Sequence, residues 1–163
     1  MPSKPSVVKG NEIPYGKSGL DAMNRAILAE LTADPRLSAA ELGRRVGLSP
    51  PAVRERVSRL EESGVIRGYR LDVDPAAVGL PVAAWVRVRP GPGQLPRIAD
   101  LADRIPEISQ CYRISGEDCL LFLVHGPDLG SLATVLDQFL QYGQTTTSVV
   151  VATPVPVRPV STR

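Results

Sequence analysis

Between Leu20 and Val151 the apolar positions of the chain change their period several times, and the changes mark the elements. Leu20, Met23, Ile27, Leu28 and Leu31 recur at helical spacing. Ser18-Gly19-Leu20-Asp21 has the spacing of a capping box, so a first helix is expected to begin near Ser18. Asp34-Pro35 ends it, because proline cannot continue a helix and restricts the residue before it. Ser38-Ala39-Ala40-Glu41 is a second capping box. It opens a short helix with Leu42 and Val46 on its apolar edge and Gly47 as its stop. A third helix follows from Ser49, with Pro50 at the first position, where a missing N–H costs nothing. Val53, Val57 and Leu60 must face inward, and Ser63-Gly64 ends the helix. The β-branched run Val65 to Val73 is expected to be a strand.

The second half alternates differently. Val82, Ala84, Val86 and Val88 fall on one face of a strand, with Trp85, Arg87 and Arg89 on the other. Pro90-Gly91-Pro92-Gly93 is a loop, and Leu95 to Ile105 is helical, with Ile98, Leu101 and Ile105 in register. Ile108 to Ile114 is a strand and Ser115-Gly116-Glu117-Asp118 a turn. The apolar run Cys119 to Val124 is expected to be a central, buried strand. Asp128 caps a last helix, facing inward through Leu132, Val135, Leu136, Phe139 and Leu140 and stopped by Gly143. Thr145 to Val151 is the final strand, and the Pro-rich end from Pro154 cannot extend the ladder. The order βαββαβ is the ferredoxin-like split pattern, so the fold class is α+β. Two helices cover one face of such a sheet. The other face is expected either to meet a second copy of itself, making a homodimer, or to stay exposed and moderately polar.

Gly47-Leu48-Ser49 between the second and third helices is a turn of helix-turn-helix length. At about 100° per residue, the side of the third helix opposite Val53 carries Pro51, Ala52, Glu55, Ser58 and Arg59, with Arg54 and Arg56 on its flanks. Small residues at the start and three arginines along the helix fit a helix laid in a major groove of double-stranded DNA. Ser38 and Ser49, at helix starts, are candidates for phosphate. Arg54 and Arg59 are candidates for guanine edges or phosphates. Glu55 either accepts from a cytosine amino group or tethers Arg59 at i, i+4, and the tether is favoured. Arg56 is placed for a phosphate or for an ion pair within the domain.

The formal charge of +2 is unremarkable, but its distribution sharpens this picture. Residues 1–70 hold 12 basic and 8 acidic side chains, and residues 71–163 hold 7 and 9. A basic half joined to a mildly acidic one places the polyanion partner with the first half. Cys111, Cys119 and His125 are too few for a four-ligand zinc site, so no metal and no cofactor are expected. The two cysteines are expected to be small buried apolar groups rather than a disulfide. There is no Ser-His-Asp spacing, no Cys–His arrangement and no phosphate loop, so an enzyme is not expected. No apolar run reaches membrane-spanning length and the first residues lack a secretory core, so a cytoplasmic protein is expected. The expected domains are a disordered extension at 1–17, a helix-turn-helix domain at 18–73, a linker at 74–81, a ferredoxin-like domain at 82–153 and a tail at 154–163.

Three runs resemble the Lrp/AsnC (feast/famine) transcription regulators: Ser38 to Ser49, Val53 to Glu61, and Gly64-Val-Ile-Arg-Gly-Tyr69. Cys111-Tyr-Arg-Ile-Ser-Gly-Glu-Asp118 resembles the same family, and the match runs in order from about Leu20 to Val151. The resemblance implies a winged helix-turn-helix joined to a ferredoxin-like effector domain. It implies dimers, often assembled into octamers, and an amino acid or similar small molecule as effector, held between protomers. By that resemblance Ser115, Gly116, Glu117 and Asp118 become effector candidates, with Thr145 and Thr147 as weaker ones. The family's first helix usually reads Leu-Asp-x-x-Asp; here the second acid is Asn24, which puts a contact of that helix in question. An architectural DNA-compacting protein of the same fold, without effector, is the alternative function.

Overall fold

The computed structural model describes residues 20–160. The expected capping serine, Ser18, and the segment 1–17 lie outside those residues. The described chain divides into two compact units, one of residues 20–70 with 158–160 and the other of residues 71–157.

The first unit is three helices: α1 (Ala22–Ala33), α2 (Ala39–Val46) and α3 (Pro50–Glu62). Asp21, not Ser18, is the N-cap of α1, and its carboxylate accepts from the Asn24 N–H at 2.6 Å. An anionic acceptor suits the positive end of the helix dipole. In α2 the Ser38 hydroxyl accepts from the Glu41 N–H at 3.1 Å, as the capping box requires. Glu41 does not reach back. It pairs with Arg44 and Arg45 one turn on, where two guanidiniums outcompete one backbone N–H. Gly47 closes α2 at φ 72°, a left-handed backbone that favours glycine. Ile27, Leu42, Val53 and Leu60 are buried together, one or two from each helix.

Val65 to Val73 forms no strand, contrary to the sequence expectation. Ile66 still packs on the helical core, and its N–H donates to the Leu60 carbonyl at 2.9 Å. Beyond it Gly68 turns to φ 145°, and Leu71 is 88% exposed. A β-rich composition makes a strand only where backbone groups find a neighbour to pair with. All four strands among the described residues lie between Val82 and Val149, and they pair with one another.

The second unit contains β1 (Val82–Pro90), α4 (Leu95–Arg104), β2 (Ile108–Arg113), β3 (Leu120–Gly126), α5 (Leu129–Asp137) and β4 (Gly143–Val149). The sheet order is β2-β3-β1-β4, with every neighbouring pair antiparallel, which is the ferredoxin-like arrangement. Ala84, Val86 and Val88 of β1 and Leu120, Phe122 and Val124 of β3 meet Ile98 and Ala102 of α4 and Leu132 and Val135 of α5 in one core. The other face keeps Trp85, Leu121, Leu123 and His125 only half-buried. β3 is central, as expected, yet buried on one face alone.

Three local expectations are corrected. Leu140 is 59% exposed, because α5 stops at Asp137 and the chain turns before Leu140 would face inward. Gly143 starts β4 instead of ending α5, and a Cβ there would lie 2.3 Å from the Arg89 carbonyl oxygen. Cys111 is exposed and Cys119 half-buried, and both are free thiols. Cys111 sits on β2, at the edge of the sheet, where a strand neighbours it on one side only.

Candidate DNA interface and effector turn

The approach of α2 to α3 is set by Gly43. A Cβ at this position would lie 2.4 Å from the Leu48 carbonyl oxygen and 3.5 Å from a methyl of Val53. The turn can therefore fold down on α2, closed by the Leu48 N–H donating to the Gly43 carbonyl at 2.9 Å. This residue was not singled out from the sequence, where it is one glycine inside a helical pattern.

On α3, Val53 and Leu60 are buried and Pro51, Arg54, Glu55, Ser58 and Arg59 are exposed, so the outer face is the one the helical period predicts. Ser49 caps α3 by position, but its hydroxyl makes no capping bond. Pro50 and Pro51 carry no N–H, and the Val53 N–H already donates to the Ser49 carbonyl. The first turn therefore offers an incoming phosphate the Ser49 hydroxyl and the Ala52 N–H rather than a full set of helix-end donors.

The arginines divide by what they hold. Arg54 makes no ion pair or hydrogen bond among the described residues. Arg59 pairs with Glu55 at 2.5 Å, the i, i+4 tether favoured from the sequence. Arg56 is committed within the domain: its guanidinium donates to Asp21 at 2.7 Å and to Asn24 at 3.0 Å. Asn24 thus serves as a second acceptor for Arg56. The Asn24 N–H, and after it Arg56, holds the Asp21 carboxyl below its ordinary pKa of 3.8. Ser58 donates to Glu62 at 2.9 Å, and Ser38 is occupied as the cap of α2.

In the second unit the Ile114 N–H donates to the Cys119 carbonyl at 2.9 Å and closes the turn of Ser115, Gly116, Glu117 and Asp118. Gly116 has φ 110°, a conformation that side-chain-bearing residues rarely adopt. The two acids are not free. Arg89, at the end of β1, pairs with Glu117 at 2.7 Å and with Asp118 at 3.2 Å. Alternation already put Arg89 on the uncovered face, but nothing in the sequence ties residue 89 to residues 117 and 118. Thr145 and Thr147 stand opposite Val88 and Val86, on the helix-covered side of edge strand β4. Only β1 lies between them and β3, into which the turn leads, but they face the side of the sheet opposite to Arg89.

Comparison with known proteins accords with this division. A family model described as winged helix-turn-helix DNA-binding matches residues 20–67. A second, the Lrp/AsnC ligand binding domain, matches residues 82–160. The HTH-type transcriptional regulator LrpC of Bacillus subtilis is 37% identical over 131 residues, covering 80% of this chain and 91% of that protein. The chain belongs to the Lrp/AsnC family. The solved structure of LrpC matches this member of the family with a TM-score of 0.78, over 82% of this chain and 96% of that one. A feast or famine regulatory protein from Mycobacterium tuberculosis, solved with L-methionine, has a TM-score of 0.81 and 32% identity, over 87% and 99% of the two chains. A transcriptional regulator from Neisseria meningitidis in complex with L-Met has a TM-score of 0.78 and 28% identity, over 85% and 94%. This Lrp/AsnC chain is a transcription regulator with a DNA-binding first unit and a ligand-binding second one. No helix among the described residues is long and apolar enough to cross a membrane.

Proposed function

We propose that α3 reads the major groove of double-stranded DNA through Arg54 and Arg59, and that Ser49 and Ala52 fix its start against a phosphate. The guanidinium of Arg54, without an ion-pair partner among the described residues and on the exposed face, carries this reading. Pro51 and Ser58 keep the face shallow enough for close approach. Glu55 holds Arg59 until DNA competes for it. Arg56 supports α3 from behind by tying it to Asp21 and Asn24. Ser38, bound in its own cap, contributes at most its hydroxyl proton to a phosphate.

The second unit takes a free amino acid at the Ser115–Asp118 turn, and a homodimer forms through the uncovered face of the sheet. The L-methionine in two similar proteins supports the ligand class. The facing of Thr145 and Thr147, opposite to that of Arg89 on the neighbouring strand, supports a site completed by a second protomer. Amino-acid binding then changes the dimer, or a larger assembly such as an octamer, and with it the spacing of the two α3 helices on DNA. The relatives are named regulators, and the protein is read as a regulator rather than an enzyme.

The test is fluorescence anisotropy on DNA from upstream of its own gene, with each of the twenty amino acids, beside a thermal-shift screen. An effector at 100 times its dissociation constant adds about 2.7 kcal/mol to stability. A hit that stabilises the protein and also shifts its DNA affinity supports the reading. A flat screen on a protein that still binds DNA would favour the architectural alternative.

A further inference from the structure

Arg89 faces the uncovered side of the sheet, opposite Gln144, and holds both acids of the turn. The side chains of Arg89, Glu117 and Asp118 are 48%, 79% and 32% exposed. Ion pairs this open contribute little to folding and break cheaply. A guanidinium and two carboxylates within one contact are also the complement of a zwitterion. The planar fork of Arg89 matches a carboxylate in two-point geometry, and the two acids match an ammonium.

We propose that Arg89 determines specificity for the carboxylate of the effector, which enters by exchanging ion pairs. The inference rests on reading the 115–118 turn as the effector site. The ammonium of a free α-amino acid takes Asp118 and Glu117, and its carboxylate takes the Arg89 guanidinium they release. Every charge keeps a partner, so the exchange costs no unpaired ion. An amine without a carboxylate also evicts Arg89 but leaves it unpaired. A carboxylate without an ammonium finds Arg89 already held by the acids. Both binding groups are therefore required together.

The competing holder of the carboxylate is the turn itself. The N–H groups of Ser115, Gly116, Glu117 and Asp118 donate no hydrogen bond among the described residues. Calorimetric titration of the full-length protein separates the two. L-methionine and the other free amino acids are titrated first, then the methyl ester and the N-acetyl form of the tightest binder. The wild type should prefer the free acid over its ester by about tenfold or more, the scale of one charge-assisted hydrogen bond. Arg89→Gln should collapse that preference while keeping or improving the affinity for the ester, because its acids stand free. Arg89→Lys should retain part of the preference. If Arg89→Gln keeps the full preference, the turn N–H groups hold the carboxylate and the proposal is wrong. If it weakens acid and ester equally, Arg89 only shapes the turn, and the proposal is again wrong. If no free amino acid binds the wild type, the effector reading itself fails and this inference with it.

Discussion

At the scale of single residues, function and stability are divided among side chains that look alike in sequence. Arg54, Arg56 and Arg59 share one helix, yet among the described residues one has no partner, one is locked to α1 and one is tethered to its own turn. The helical period placed all three correctly on the wheel. Their partners were less legible: the Glu55 tether follows from i, i+4 spacing, whereas the Arg56 pair with Asp21 spans 35 residues and needs the tertiary fold. The division sets distinct expectations. Arg54→Ala and Arg59→Ala should each weaken DNA binding, and a lost phosphate contact lowers the slope of log affinity against log salt by about 0.9. Arg56→Ala should instead lower thermal stability and leave the slope unchanged. Anisotropy across a salt series, with melting curves on the same variants, checks both. An unchanged affinity and slope for both Arg54→Ala and Arg59→Ala would remove α3 from the groove. Gly43 makes the opposite case, a residue of no chemistry on which the geometry depends. Gly43→Ala puts a methyl against the Leu48 carbonyl, and such overpacking costs about 1–3 kcal/mol. Chemical denaturation should show that loss; a neutral variant would mean the turn lifts off α2 freely.

At the scale of elements, what the sequence predicted well was whatever is decided locally. Caps, proline stops and the periods of α2, α3 and β1 depend on a few neighbouring residues, and they stand within a residue or two of expectation. The start of α1 lies later than expected because the carboxylate of Asp21 accepts from the Asn24 N–H and caps the helix there. The strand expected over Val65 to Val73 failed for a reason no local pattern reports: it has no paired neighbour among the described residues. The caps that formed carry a pH dependence. Asp21 is held below its ordinary 3.8 by the Asn24 N–H first and Arg56 second, and Asp128 is held down by the Ser131 N–H at 2.7 Å. A carboxyl with a lowered folded pKa stabilises the fold above its unfolded pKa and loses that contribution as pH falls through the folded value. Asp21→Ala and Asp128→Ala should therefore melt below the wild type at pH 7, and the gap should shrink as pH drops below about 3.8. A gap that stayed constant with pH would mean that packing, not the ionised cap, is what each aspartate supplies.

At the scale of the whole molecule, the second unit has one face with a core and one without. α4 and α5 cover Val86, Val88, Phe122 and Val124 on one side, while Trp85, Leu121 and Leu123 on the other remain half-buried. Tyr112, paired with Leu121 on the same face, is half exposed. Apolar surface presented by neighbouring strands is what self-association removes from water, and a two-fold axis lets one patch serve as both halves of the contact. Leu123 lies on central strand β3, opposite Trp85, so it would sit well inside such a contact. Leu123→Asp places a carboxylate there. In a lone chain the position is partly open to water and the change should be tolerated; in a dimer it puts two like charges close together out of solvent. Light scattering after size exclusion should show a dimer or larger species for the wild type and a monomer for Leu123→Asp, with the circular dichroism of the two alike. If the amino acid is held between protomers, the same variant should lose its thermal response to the effector while its α3 still reads DNA as a single, weaker half-site. A wild type that is monomeric, or a monomeric variant that keeps the full effector response, would sever the link between assembly and ligand on which regulation by spacing depends.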